Sequence, residues 1–302
     1  MRVAAVDVGT NTVLLLVAER GPSGSLVPLL ERATITRLGQ GVDRTRKLAP
    51  EAVERTCACL EEYAGAIREL GVERIAIAGT SAMRDAGGGE ELRDWIRRAF
   101  GVEARTLSGQ EEARLTFHGA LSGLGVETRA GVGVFDIGGG STEVVLGDVE
   151  DGLPRLAFAS SFDVGSVRLT ERHGENRVEL ERAAREAFAN VPALPSDRPP
   201  VGVAGTMTTL AAVSLGLQPY DGARVHGHVL KRTALAQVLA RLASVDLDAR
   251  RQLPGMEPKR ADVIIAGGCL ALALLDHWGA PEVTVSDRGV RWGLAEELAA
   301  AD

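Results

Sequence analysis

Two stretches of the chain, 129 positions apart, follow the same order of residue types. "VAAVDVGTNTVLLLVAE", from Val3, reads as an apolar strand reaching Asp7, a tight polar turn at Gly9, Thr10 and Asn11, and a second apolar strand. "GVGVFDIGGGSTEVVLG", from Gly131, repeats that order with Asp136 and a turn at Gly138, Gly139, Gly140 and Ser141. A second echo lies downstream of each. "RIAIAGTSAMRDA" and "PVGVAGTMTTLAAV" both run an apolar strand into Ala-Gly-Thr and then open a helical pattern. Asp7 to Gly79 spans 72 positions and Asp136 to Gly205 spans 69. Two unrelated motifs recurring in one order at nearly one separation point to duplication, and the period is far too long for a solenoid. Two similar α/β domains are therefore expected.

Helices fall between the strands. Pro50 to Leu70 places Val53, Cys57, Leu60, Ala64 and Ile67 on one stripe, and Gly71 stops it. This alternation favours a mainly parallel sheet in each half, with the first hairpin adding an antiparallel strand. "VPALPSDRPP" reads as a connecting loop. The longest apolar run, Val263 to Leu275, is too short to cross a bilayer and predicts a buried helix. "MRVAAVDVGT" enters a strand without a secretory apolar segment, so a cytoplasmic location and no membrane partner are expected. A net charge of −7 argues against a nucleic-acid partner, although not against a small anionic substrate. Cys57, Cys59 and Cys269 read as core thiols, and His226 with His228 is a weak metal candidate because neither set reaches zinc-site spacing.

A strand-turn-strand with glycine at its tip lets main-chain N–H groups face an anion, because no Cβ blocks the approach. The Ala-Gly-Thr turns at Gly79-Thr80 and Gly205-Thr206 add helix starts, whose N–H groups also suit phosphate. Carboxylates beside such turns repel phosphate unless a cation intervenes. Asp7, Asp136 and Glu143 therefore imply a hard divalent ion, with Mg²⁺ as the default. There is no G-x-x-x-x-G-K-[ST] loop, and Asp136 stands where a dinucleotide fingerprint needs its third glycine. In "LSGQEEARLTFHGAL", Ser108 and Glu111 form a capping box. Glu112 is left over. It suits either orientation or deprotonation of a water, or a further favourable dipole contact at the helix start.

Taken together, "DVGTNT", "GTSAMRDA", "SGQEEA", "DIGGGSTE", "AGTMTTLAA", "VHGHVL", "KRADVIIAGG" and "VSDRGVRWGL" resemble, nearly end to end and in order, the exopolyphosphatase/guanosine pentaphosphatase family of the sugar kinase, actin and heat-shock chaperone superfamily. The resemblance implies two ribonuclease-H-like domains, 1–125 and 126–288, with an interdomain cleft and a last helix, 289–302, packing back on the first domain. It makes Glu112 the residue that activates water, and Asp136 and Glu143 the magnesium-associated acids. Gly9 to Asn11, Gly138 to Ser141 and Gly205-Thr206 match its phosphate loops, and Arg84 matches a phosphate-contacting arginine. The implied activity is Mg²⁺-dependent hydrolysis of the terminal phosphoanhydride of polyphosphate. Removal of the 5′-terminal phosphate of guanosine pentaphosphate is the alternative, and an ATP-dependent kinase or a nucleotide sensor without turnover is a more distant one. Long members continue into helical domains that hold polymer, so short chains are the expected substrate here. A homodimer is compatible with this reading, although the sequence does not set the oligomeric state.

Overall fold

The computed structural model describes residues 1–22, 24–125, 129–150, 153–195 and 198–300. The chain divides into two compact units, Met1–Leu115 with Val290–Asp302, and Thr116–Gly289. The division falls inside the helix Gly109–Leu121. The sequence suggested a boundary between 125 and 126, which adjoins residues 126–128, outside the described set.

In the first unit the strands are β1 (Arg2–Val8), β2 (Thr12–Arg20), β3 (Leu26–Ile35), β4 (Arg74–Gly79) and β5 (Ala104–Thr106), in the sheet order β3-β2-β1-β4-β5. β2 runs antiparallel to β1 and β3, whereas β4 and β5 run parallel to β1. This is the ribonuclease-H-like arrangement. Central β1 is apolar from Val3 to Val6 because both of its faces are covered. Side chains alternate across a strand, so Ala4, Val6 and Val8 meet Leu60, Tyr63 and Ile67 of the helix Pro50–Glu69 and Leu92 and Ile96 of the helix Glu90–Phe100. Val3 and Ala5 meet Trp292, Leu294 and Ala295 of the helix Val290–Ala300 on the other face.

The second unit repeats the plan. Its strands are β6 (Arg129–Ile137), β7 (Thr142–Glu150), β8 (Leu153–Phe162), β9 (Val201–Val203), β10 (Val229–Lys231) and β11 (Glu282–Val285), ordered β10-β11-β9-β6-β7-β8. Read from β8, the order is that of the first unit with β10 added at the far edge. The apolar run becomes the helix Ile264–Trp278, buried with Phe135, Val144, Leu210 and Leu239 in one core.

Two expectations change. Neither sheet is mainly parallel, because β3 and β8 prolong each hairpin into an antiparallel three-strand meander. β3 is an edge strand whose residues are mostly exposed, so it lacks the apolar pattern that would reveal it. The stripe of the helix Pro50–Glu69 is also rotated. Thr56, Cys59, Leu60, Tyr63 and Ile67 are buried, while Val53 and Cys57 are only half-buried. Tyr63 turns inward because its hydroxyl can donate to Val13 O at 3.1 Å. The "VPALPSDRPP" loop includes residues 196 and 197, outside the described set. No helix among the described residues is long and apolar enough to cross a membrane.

Candidate active site

In the first unit the β1-β2 hairpin carries the turn. Gly9 N–H bonds Thr12 O at 3.1 Å and closes it. Asp7 is buried on β1, in register with Leu14 of β2 and Ala78 of β4, on the face shared by Val3 and Ala5. Asn11 is buried at the tip, and its Nδ2 donates to no acceptor among the described residues. A buried amide donor left in that state is costly, so an acceptor arriving there, such as a phosphate oxygen, is favoured.

The capping box forms as the spacing requires. Glu111 N–H bonds Ser108 Oγ at 3.2 Å, and Ser108 N–H bonds Glu111 Oε2 at 2.9 Å. The Ser108 N–H bond to Oε2, with the Arg105 guanidinium 2.8 Å away and the Ser108 hydroxyl donating to Oε2 at 2.8 Å, holds the Glu111 carboxyl at about 2. Glu112 turns inward from the same helical turn and is 6% exposed. Arg84, on the short helix Ser81–Asp85, donates through Nη1 to Glu112 Oε2 at 2.9 Å and to Leu107 O at 3.1 Å, while its Nε lies 3.3 Å from Asp85 Oδ1. The expected phosphate arginine and the expected water-activating acid are thus partners. Their 28-residue separation hid this from the sequence.

In the second unit, Gly138 N–H bonds Ser141 O at 3.1 Å, which repeats the closure seen at Gly9. Asp136 on β6 stands directly opposite Glu143 on β7, which in turn stands opposite Ser161 on β8. Residues so paired share one sheet face, here the face turned from Phe135 and Val144. Glu143 is 1% exposed and accepts a hydrogen bond from Ser161 Oγ at 2.6 Å. Two carboxylates directly opposed repel each other, so a cation at this row is favoured. No group of three or more His, Cys, Asp or Glu is gathered as a ligand set among the described residues. A pair of carboxylates nonetheless fits Mg²⁺, which keeps several waters and uses one or two acids together with substrate phosphate.

Gly205 and Thr206 lie in the first turn of the helix Ala204–Leu215, where N–H groups have no partner four residues back. Ala204 adopts φ 66°, a left-handed conformation rare outside glycine, at the junction with β9. Thr206 Oγ donates to Ile137 O at 3.0 Å and so braces the strand end before Gly138. A Cβ on Gly205 would lie 1.9 Å from Arg260 Nη1, so the glycine lets a guanidinium rest on this turn. Arg260 was not picked out from the sequence. Its signal was "KRADVIIAGG", 55 residues beyond the turn it covers.

The remaining candidates are structural. His226 Nδ1 lies 3.0 Å from Asp287 Oδ1, and burial pushes His228 below its ordinary value. Cys59 and Cys269 are buried, with burial raising the Cys269 thiol to about 11, which makes it a poor nucleophile.

Duplicated ribonuclease-H-like units, each with a glycine turn preceded by an aspartate, define a phosphate-handling protein. The Ppx/GppA phosphatase family matches residues 16–300, and the chain belongs to that family. Exopolyphosphatase 2 of Mycobacterium tuberculosis is 39% identical over 321 residues, covering 99% of this chain and 98% of that protein. Among solved structures, an exopolyphosphatase-like protein shares 32% identity at TM-score 0.88, covering 98% of this chain and 97% of that one. The Aquifex aeolicus member of the Ppx/GppA family shares 31% identity at TM-score 0.80 with the same coverage of both chains.

Proposed function

We propose that the protein is an exopolyphosphatase, which hydrolyses the terminal phosphoanhydride of inorganic polyphosphate and releases phosphate. The observation that carries this reading is Glu112. It is buried at the head of a helix whose capping is already complete through Ser108 and Glu111, and Arg84 holds it in place. Simple sensing gives no use for such a group; hydrolysis does, and so does transfer to a hydroxyl, against which Glu112 speaks only through the family match.

Glu112 orients a water and takes its proton as the water oxygen attacks the terminal phosphorus, and the shortened polyphosphate leaves. The transition state spreads negative charge over the equatorial oxygens. In the second unit the N–H groups of Gly139 to Ser141, in the turn Gly138 to Ser141, and of Gly205-Thr206, with the Arg260 guanidinium, are donors suited to such charge; in the first unit those of Thr10 and Asn11, in the turn Gly9 to Asn11, with Arg84, are. Asp136 and Glu143 would hold Mg²⁺ in the second unit, and Asp7 is the corresponding acid of the first; the ion would neutralise charge and polarise phosphate oxygens. The chain's remaining task is positioning, which suits the rigid sheets that carry every one of these turns.

A phosphate-release panel with short and long polyphosphate, guanosine pentaphosphate, ATP and ADP, each with and without Mg²⁺, tests the reading. Release from polyphosphate without any acceptor is expected. Release from guanosine pentaphosphate alone would move the assignment to that substrate, and no release from any compound would refute hydrolysis.

A further inference from the structure

In the second unit the carbonyls of the glycine turn are all occupied from one side. Ser166 donates to Gly138 O through its N–H at 2.9 Å and its Oγ at 3.2 Å. Val167 and Arg168 N–H groups donate to Gly139 O at 2.9 and 3.1 Å. The Arg168 side chain completes the set, with Nε donating to Gly140 O at 2.8 Å. Each peptide is planar and trans, so a carbonyl turned toward the helix Ser166–His173 sends the next N–H the opposite way. The N–H groups of Gly139, Gly140 and Ser141 therefore face away from that helix.

The first unit builds the same support from main chain. Gly39 N–H donates to Thr10 O at 2.8 Å, and Thr36 and Arg37 N–H groups donate to Asn11 O at 3.1 and 3.0 Å. Thr10 and Asn11 occupy the turn as Gly139 and Gly140 do. Residues 36–39 follow β3 as residues 165–168 follow β8. The two copies thus secure equivalent carbonyls from equivalent segments, with the Arg168 side chain standing where the first copy uses backbone donors.

We infer that Arg168 is a positioning residue: its buried guanidinium anchors Gly140 O and thereby aims the Ser141 N–H at the phosphate oxygen that the turn binds. The inference rests on reading this turn as a phosphate loop, and it places Arg168 behind the loop rather than against substrate. Arg168 is 6% exposed and its Nε is already spent on Gly140 O, as a brace requires.

Two variants of the full chain test it. Arg168→Met keeps the stem and removes the donor. Gly165→Ala adds a Cβ that would lie 2.4 Å from Gly139 O, and its φ of −141° suits alanine, so only the turn must shift. In each, calorimetric titration with inorganic phosphate should show affinity weakened by about tenfold or more, the scale of one lost hydrogen bond. KM for short polyphosphate should rise in step, kcat should fall as well because the same N–H meets transition-state charge, and the pH profile should stay put. If Arg168→Met does not fold, Gly165→Ala carries the test. Unchanged phosphate affinity and KM in a folded variant, or a fall in kcat alone, would overturn the inference. So would a wild-type protein that binds no phosphate. Wild-type protein that binds phosphate yet releases none from polyphosphate would refute the proposed activity and leave the Arg168 test readable by titration.

Discussion

Replacing Glu112 by Gln separates charge from shape. The amide keeps an oxygen on the same stem, so Arg84 Nη1, 2.9 Å from Oε2, still has an acceptor. What is lost is one of the two charges in that bond, since Arg84 stays ionised and keeps Asp85 Oδ1 at 3.3 Å; the loss is about 1 kcal/mol, within the spread of about 1.5–3 for hydrogen bonds to charged groups. The Arg84 side chain is 23% exposed, and water offsets part even of that. A domain stable by about 5–15 kcal/mol stays folded after such a loss, so its thermal midpoint should fall by only a few degrees. The effect on turnover is of another order. Loss of a general base costs roughly 10²-fold or more, or about 2.7 kcal/mol in the transition state. Because the proton moves only during reaction, kcat and kcat/KM should fall together with KM nearly constant. Phosphate release from short polyphosphate, with the folded fraction measured by thermal scan on the same sample, reads both quantities. Turnover close to wild type would end the catalytic role of Glu112. A large drop in midpoint tracking the loss of activity would reduce Glu112 to a structural partner of Arg84.

If Asp136 and Glu143 act through a bound divalent ion, EDTA should abolish phosphate release and added Mg²⁺ should restore it, while Asp136→Asn should raise the Mg²⁺ concentration required; activity indifferent to chelator would contradict this. Glu111 is held at about 2, below its ordinary 4.5, chiefly by the Ser108 N–H and then by Arg105. A depressed carboxyl stabilises the fold above its ordinary value and loses that contribution as the pH falls toward the depressed one. Glu111→Gln should therefore melt below wild type at neutral pH, with the gap closing as the pH drops from about 5 toward 2; a gap of constant size would refute the assignment. With a net charge of −7, the chain offers little basic track for a polymer whose contacts are screened within about 10 Å at 0.1 M salt. Partial digests of long polyphosphate should show a ladder of intermediate lengths on gels, and full-length polymer persisting beside free phosphate alone would show processive action instead.

The sequence by itself determined what depends on neighbours along the chain. Both glycine turns and the Ser108–Glu111 capping box lie within spans of a few to about twenty residues, where strand alternation and helix caps write themselves directly into residue order, and the duplication is legible because such local patterns recur 129 positions on. Glu112 could be singled out for the same reason, since its neighbours had already satisfied the helix start. Strands β3 and β8 escaped because an edge strand owes its place to pairing rather than to an apolar pattern of its own. Only tertiary structure paired Arg84 with Glu112, laid Arg260 on Gly205 and placed Arg168 behind Gly140. Each of these contacts depends on where a separate strand or helix lands. That is decided by burial and hydrogen bonding over the whole unit, and a charged residue far along the chain carries no local mark of the backbone it will meet.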